Sequence, residues 1–244
     1  MRNCKQMEQK EDSKEESLPV KQLKEIIKFR AKSAAPVDTM GCSKLGDLSN
    51  PKLFRFQTLI ALMLSAQTKD MITSQAVENL KTLEGGLTPS SLSKANEETV
   101  KNLIRKVSFF NNKAKRIIEV AKICERDYDG DIPDSLDALM KLPGVGLKMA
   151  TLAMGTAWEK QVGIGVDVHV HRIANRLGWV KTKNPNETEA ELQKVFPKEL
   201  WVPLNEAIVG FGQTICGAKK QKCEECPIRD TCPYGREPSD SYSE

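Results

Sequence analysis

Apolar residues return at intervals of three and four along almost the whole chain. Phe56, Leu59, Ile60 and Met63 stand at i, i+3, i+4 and i+7, and so do Val100, Leu103, Ile104 and Val107. The spacing recurs in Ile117, Val120, Ala121 and Cys124, in Ala150, Ala153, Met154 and Ala157, and in Val170, Ile173, Ala174 and Leu177. Each set lines one face of a helix. Alternating, β-rich runs are nearly absent. The expected fold is therefore all-α, built from about ten short helices.

Breakers sit between these sets. Gly85-Gly86 and Pro89 separate a pair of early helices, Asp129-Gly130-Asp131 and Pro133 separate another pair, and Asn184-Pro185 opens a further loop. No internal repeat is visible. With 244 residues there is enough chain for one or two domains. No run of 18 apolar residues exists, so no membrane partner is expected. The net charge of +4 is compatible with a polyanionic partner without demanding one. The N-terminus lacks an apolar stretch, which argues against a secretory leader. Its acidic residues Glu8, Glu11, Asp12, Glu15 and Glu16 argue against a transit peptide. Residues 1–18 are expected to be a disordered tail and 235–244 a flexible one.

Seven cysteines are present, and four crowd near the C-terminus. Cys216, Cys223, Cys226 and Cys232 have the spacing C-x6-C-x2-C-x5-C, within 17 residues. In a reducing compartment such a cluster points to metal rather than disulfides. Structural zinc sites usually pair two close doublets. Here there is one doublet and two outliers, an arrangement that can wrap an iron–sulfur cluster. Spacing leaves both metals open. Lys219, Lys220 and Lys222 lie between the first two cysteines, either as solvated surface or as a basic lobe aimed at phosphates.

Leu142-Pro143-Gly144-Val145-Gly146 lies between two helical stretches. Gly144 and Gly146 allow a tight turn and remove side chains that would block a ligand. The amides opening the next helix are unpaired and suit a phosphate. This is the logic of a helix-hairpin-helix element. It argues for DNA, not for chemistry.

Lys148 stands just inside the second helix of that hairpin. The positive end of the helix dipole opposes its charge there. That favours the neutral amine, the form that attacks carbon. Asp167 follows 19 residues later in Val166-Asp167-Val168-His169-Val170-His171-Arg172. It precedes a periodic helix and so reads also as an N-cap. The His169-x-His171 pair is a poor metal site by itself.

These motifs together resemble the endonuclease III family of DNA glycosylase/lyases. The resemblance rests on Leu-Pro-Gly-Val-Gly-Leu-Lys ending at Lys148, on Val-Asp-Val-His around Asp167, and on the cysteine loop. Leu64-Ser65-Ala66-Gln67-Thr68-Lys69-Asp70 also resembles a loop of that family. The match runs from about residue 19 to residue 234. Phe109 is a departure, since bacterial members carry a leucine there. The N-terminal extension and Val209-Gly210-Phe211-Gly212-Gln213 resemble eukaryotic members.

The resemblance implies a 4Fe–4S cluster on Cys216, Cys223, Cys226 and Cys232. It implies Lys148 as the nucleophile that forms a Schiff base and Asp167 as its essential partner. Gln67, Phe109, Gly144, Gly146, His169, Lys219 and Lys220 form the expected DNA-facing set. Gln67 and Phe109 enter the duplex where a nucleotide has left. The two lobes implied are a helical barrel over 53–165 and a cluster domain made of 19–52 with 166–234. The substrate implied is double-stranded DNA with damaged pyrimidines or abasic sites, bound by a monomer. The compartment implied is the nucleus, with the mitochondrion as a second one. Two other readings stand beside this: a non-catalytic helix-hairpin-helix module, and a glycosylase for another damaged base.

Overall fold

The computed structural model describes residues 16–235, so most of both expected tails lies outside the described residues. Leu18, expected at the end of the N-terminal tail over 1–18, instead opens a helix with Pro19 in its first turn. Proline is favourable there: the first-turn N–H groups have no intrahelical acceptor, and the ring holds a helical φ.

The described residues form twelve α-helices: α1 (Leu18–Arg30), α2 (Pro36–Met40), α3 (Pro51–Ser65), α4 (Asp70–Lys81), α5 (Pro89–Lys94), α6 (Glu97–Leu103), α7 (Phe110–Asp127), α8 (Leu136–Met140), α9 (Leu147–Ala157), α10 (Val168–Arg176), α11 (Pro185–Val195) and α12 (Trp201–Thr214). No strand occurs among them, and one isolated bridge pairs Cys216 with Gln221. The all-α expectation holds. No helix of the described residues is long and apolar enough to cross a membrane.

Many helix starts are set locally. Asn50, Thr88, Asn96, Ser135 and Asn184 each accept a first-turn backbone N–H through a side-chain oxygen. The run ending at Val107 overshoots its helix. α6 stops at Leu103, and Val107 N–H donates to Ile104 in a tighter turn. Ile104 and Val107 are nonetheless buried, so the apolar spacing reports burial there rather than helix.

Two hydrophobic cores result. In the first, α3 buries every residue from Phe56 to Leu64 and is surrounded by α4, α7 and α9. A helix apolar on all sides belongs at the centre. The second core joins α1 to α10, α11 and α12 through Leu23, Ile26, Ile173, Leu192, Ile208 and Phe211. Gln22 ties the chain's ends together there. It accepts from Trp179 Nε1 at 2.7 Å and donates to the Thr231 carbonyl at 3.0 Å. Val37 packs on the second core and Cys42 on the first; Ala157 lies in the first and Ile164 in the second. The chain thus crosses between cores twice, and the space between the crossings forms a cleft.

Candidate active site

The hairpin between α8 and α9 gives its two glycines different tasks. Gly144 has φ +83°, and a Cβ there would meet Arg116 Cδ at 2.6 Å. The turn is what requires glycine, since the exposed Arg116 side chain could swing aside. Gly146 has φ −98°, ordinary for any residue, and an added Cβ would meet nothing within 4 Å. Neither backbone nor packing demands glycine at that exposed position. What it preserves is open space at the start of α9. No side chain caps that helix, and Ala150 N–H bonds back to the Gly146 carbonyl. The amides ahead of it are oriented toward an approaching anion. Arg116, exposed on α7, adds a cation beside the hairpin. Nothing in the sequence marked it, because it is distant along the chain.

Lys148 is exposed on the first turn of α9 and lines a cleft of about 140 Å³ that Asp167 also lines. Asp167 is the N-cap of α10: its Oδ1 accepts from the His169 N–H at 2.9 Å and the Val170 N–H at 2.8 Å. The local cap and the place in the cleft therefore coexist. The segment before Asp167 runs along α9. A Cβ on Gly165 would lie 2.6 Å from Leu152 Cγ, and Leu152 is one helical turn beyond Lys148 on the same face. Asn205 of α12 donates to the Gly165 carbonyl from the other side. Asp167 is brought toward Lys148 by this packing, without an ion pair between them.

The two histidines do not converge. His169 Nδ1 lies 3.2 Å from Arg172 Nη2, whereas His171 Nδ1 is 2.7 Å from Thr188 Oγ1. Burial holds the His169 imidazole below its usual pKa range, with Arg172 and Lys148 adding to the effect against Asp167 and Asp70. His169 is thus a neutral hydrogen-bonding group at pH 7, not a cation for phosphate. It fits because of Gly212, where a Cβ would meet His169 Nδ1 at 2.5 Å. Gly210, two residues earlier on α12, makes the corresponding room for Arg30.

Cys42 also lines the cleft. Burial pushes its thiol up to about 11, and Asp70 adds to this, so it is not a competing nucleophile at neutral pH.

Cys216, Cys223, Cys226 and Cys232 line a single pocket and form no disulfide. Among the described residues, no three potential ligands stand close enough to share one metal ion. Arg176 Nη1 donates to Cys216 Sγ at 3.2 Å and to the Gly217 carbonyl at 3.0 Å, while Arg172 Nη2 donates to the Cys216 carbonyl at 2.9 Å. Both arginines belong to α10, so the helix that Asp167 caps is also the one that grips the cysteine loop. Lys219 and Lys220 are exposed on that loop.

Gln67 and Phe109 are exposed on adjacent loops, Phe109 at 65%. Phe110 instead packs against the first core.

The fold thus joins two helical cores, an unobstructed hairpin, and a cleft lined by both an amine and a carboxylate. This chain belongs to the HhH-GPD superfamily of base excision DNA repair proteins, whose family model matches residues 60–198. Within it the similarity is to endonuclease III. The chain is 50% identical over 212 residues to "Endonuclease III homolog" of Schizosaccharomyces pombe, covering 86% of this chain and 60% of that protein. It is 45% identical to "Endonuclease III-like protein 1" of Gallus gallus, covering 88% and 77%. The structure matches "Structure of a Trapped Endonuclease III-DNA Covalent Intermediate: Estranged-Adenine Complex" with a TM-score of 0.75 at 30% identity, covering 89% and 95%. The chain thus spans about three fifths of the length of the fission-yeast relative.

Proposed function

We propose that this chain is a bifunctional DNA glycosylase and abasic-site lyase that removes oxidised pyrimidines from duplex DNA. The observation that carries this reading is the cleft shared by Lys148 and Asp167 beside the open backbone at Gly146. The structural match to an endonuclease III trapped covalently on DNA supports it.

On this reading a DNA phosphate docks at Gly144 and Gly146, flanked by Arg116. Lys219 and Lys220 meet the backbone further along, and His169 contributes a neutral hydrogen bond. The damaged nucleotide must leave the stack, which costs a few kcal/mol and less for a poorly paired base. Lys148 Nζ, as the free amine, attacks the sugar C1′. The C1′–N bond breaks, and the base leaves with the electron pair and takes up a proton. Opening of the sugar ring gives the imine, which acidifies the C2′ proton. Its removal expels the 3′ phosphate oxygen and breaks the strand. A carboxylate paired directly with Lys148 would hold the amine charged. The Asp167 carboxylate, unpaired with Lys148, instead stabilises positive charge developing on the sugar and passes a proton.

The four clustered cysteines are the ligands of a 4Fe–4S cluster on this reading. Four cysteines without disulfides around one pocket, spaced as one doublet with two outliers, support that choice. The cluster would supply a rigid cross-link of the loop that α10 grips. The barrel lobe is assigned to 53–165 and the cluster lobe to 19–52 with 166–234. A monomer acting in the nucleus, and secondly in the mitochondrion, completes the reading.

Borohydride reduction in the presence of an abasic or thymine-glycol duplex is the direct test. The wild-type chain should be trapped on DNA and Lys148→Gln should not. Trapping that persists in Lys148→Gln would assign the imine to another amine, and no trapping at all would favour a non-catalytic DNA-binding module.

A further inference from the structure

Lys113 is a buried cation with no carboxylate beside it among the described residues. It is 8% exposed, and its ammonium donates to the Leu64 carbonyl at 2.7 Å, the Ala66 carbonyl at 2.6 Å and Thr68 Oγ1 at 3.4 Å. Three donors meet three neutral acceptors, so the group is satisfied but remains desolvated. Burial pushes its pKa down to about 8. Such a group is costly to bury, and the acceptors show what it holds. They are the end of α3 and the loop from which Gln67 projects. The carbonyls ending a helix attract a cation.

Lys113 stands in the first turn of α7, just past the second loop, and its backbone N–H makes the first helical bond, to the Phe109 carbonyl at 3.1 Å. Ser108 closes the connection: its Oγ donates to the Gln67 carbonyl at 2.7 Å, and its N–H to Thr68 Oγ1 at 3.3 Å. Gln67 and Phe109 both take left-handed backbone conformations, with φ +54° and +57°. Non-glycine residues hold that conformation only where their surroundings enforce it. Both side chains are exposed, while Lys113 beneath them is buried.

We propose that Lys113, with Ser108 and Thr68, is a positioning residue that locks the Gln67 and Phe109 loops into one rigid two-pronged unit, so that both prongs enter the duplex together. The proposal rests on the reading of Gln67 and Phe109 as the groups that enter the gap. Lys113 touches neither the extruded nucleotide nor Lys148. It acts by presetting two strained loops that would otherwise have to be ordered on binding, at a cost to the bound state.

The test compares excision of thymine glycol paired in a duplex with cleavage of an abasic site in a single strand, where no gap has to be filled. The double variant Gln67→Ala/Phe109→Ala examines the underlying reading. It should slow duplex excision by about tenfold or more while single-strand cleavage stays within about twofold. Equal rates on duplex would remove the prongs, and with them any role for their anchor. Given functional prongs, Lys113→Met and the milder pair Ser108→Ala/Thr68→Val should show the same split. A single-turnover cycle adds a readout that stability alone does not move. Gln67→Ala and Phe109→Ala should be strongly non-additive in the wild-type background and close to additive with Ser108→Ala/Thr68→Val. Additive prongs in the wild-type background, or both activities falling together in Lys113→Met and the milder pair, would overturn the proposal and leave Lys113 a core residue.

Discussion

Leu152 occupies the space that a side chain on Gly165 would need, with an added Cβ falling 2.6 Å from Leu152 Cγ. Leu152 rides on α9 with Lys148, and Gly165 lies two residues before Asp167. The segment leading to Asp167 is therefore packed closely against the helix that carries Lys148.

Gly165→Ala should push this segment off α9 and displace Asp167. Misplacement of about 1 Å can cost up to about a hundredfold in rate, so base excision should fall at least about tenfold. Single-turnover excision measures this. Leu152→Ala added to Gly165→Ala restores the room and should recover some of the rate. If the double variant is slower than Gly165→Ala alone, the contact does not set the geometry.

Asp167 has a structural task and a proposed chemical one, and two substitutions separate them. Asn keeps an oxygen for the His169 and Val170 N–H groups, so Asp167→Asn should melt close to wild type and still bind DNA, yet lose most excision. Asp167→Ala should in addition lose the cap, worth about 1 kcal/mol. Excision by Asp167→Asn within a factor of about two of wild type, on the scale where tenfold is about 1.4 kcal/mol, would reduce the residue to a helix cap.

Lys219 and Lys220 are exposed on the loop held by Arg172 and Arg176. If they meet phosphates, Lys219→Ala/Lys220→Ala should weaken binding to all sequences alike. The log–log salt slope should flatten by about 0.9 for each phosphate no longer neutralised. An unchanged slope in a binding titration would make them ordinary solvated surface.

Cys42 shares the cleft with Lys148, yet burial pushes its thiol up to about 11. At pH 7.5 it should stay unalkylated by iodoacetamide under native conditions and react once the chain is unfolded. Peptide mass spectrometry distinguishes the two. Rapid native labelling at Cys42 would show a thiolate in the cleft and reopen the choice of nucleophile.

Much of this architecture was legible before any tertiary contact was known. Helix faces follow from spacing of three and four, because neighbours on a helix are neighbours in sequence. Asp167 as the cap of α10, and glycine in the turn at Gly144, are likewise decided within a few residues. Lys148, Asp167 and the four cysteines are proposed as site residues on residue type and spacing together with resemblance. Other features needed the folded chain. Sequence could not say that Gly146, with an ordinary φ of −98°, serves open space rather than the turn, since that depends on nothing packing beside its Cβ. It could not show the two histidines facing different partners, nor Arg172 and Arg176 on the cysteine loop. Nor does anything near Lys113 in the sequence mark it as buried, because its acceptors lie on another helix end and loop. Local signals record the interactions of a residue with its near neighbours along the chain. Which groups meet across the cleft depends on how distant segments pack, and no short stretch of sequence contains that information.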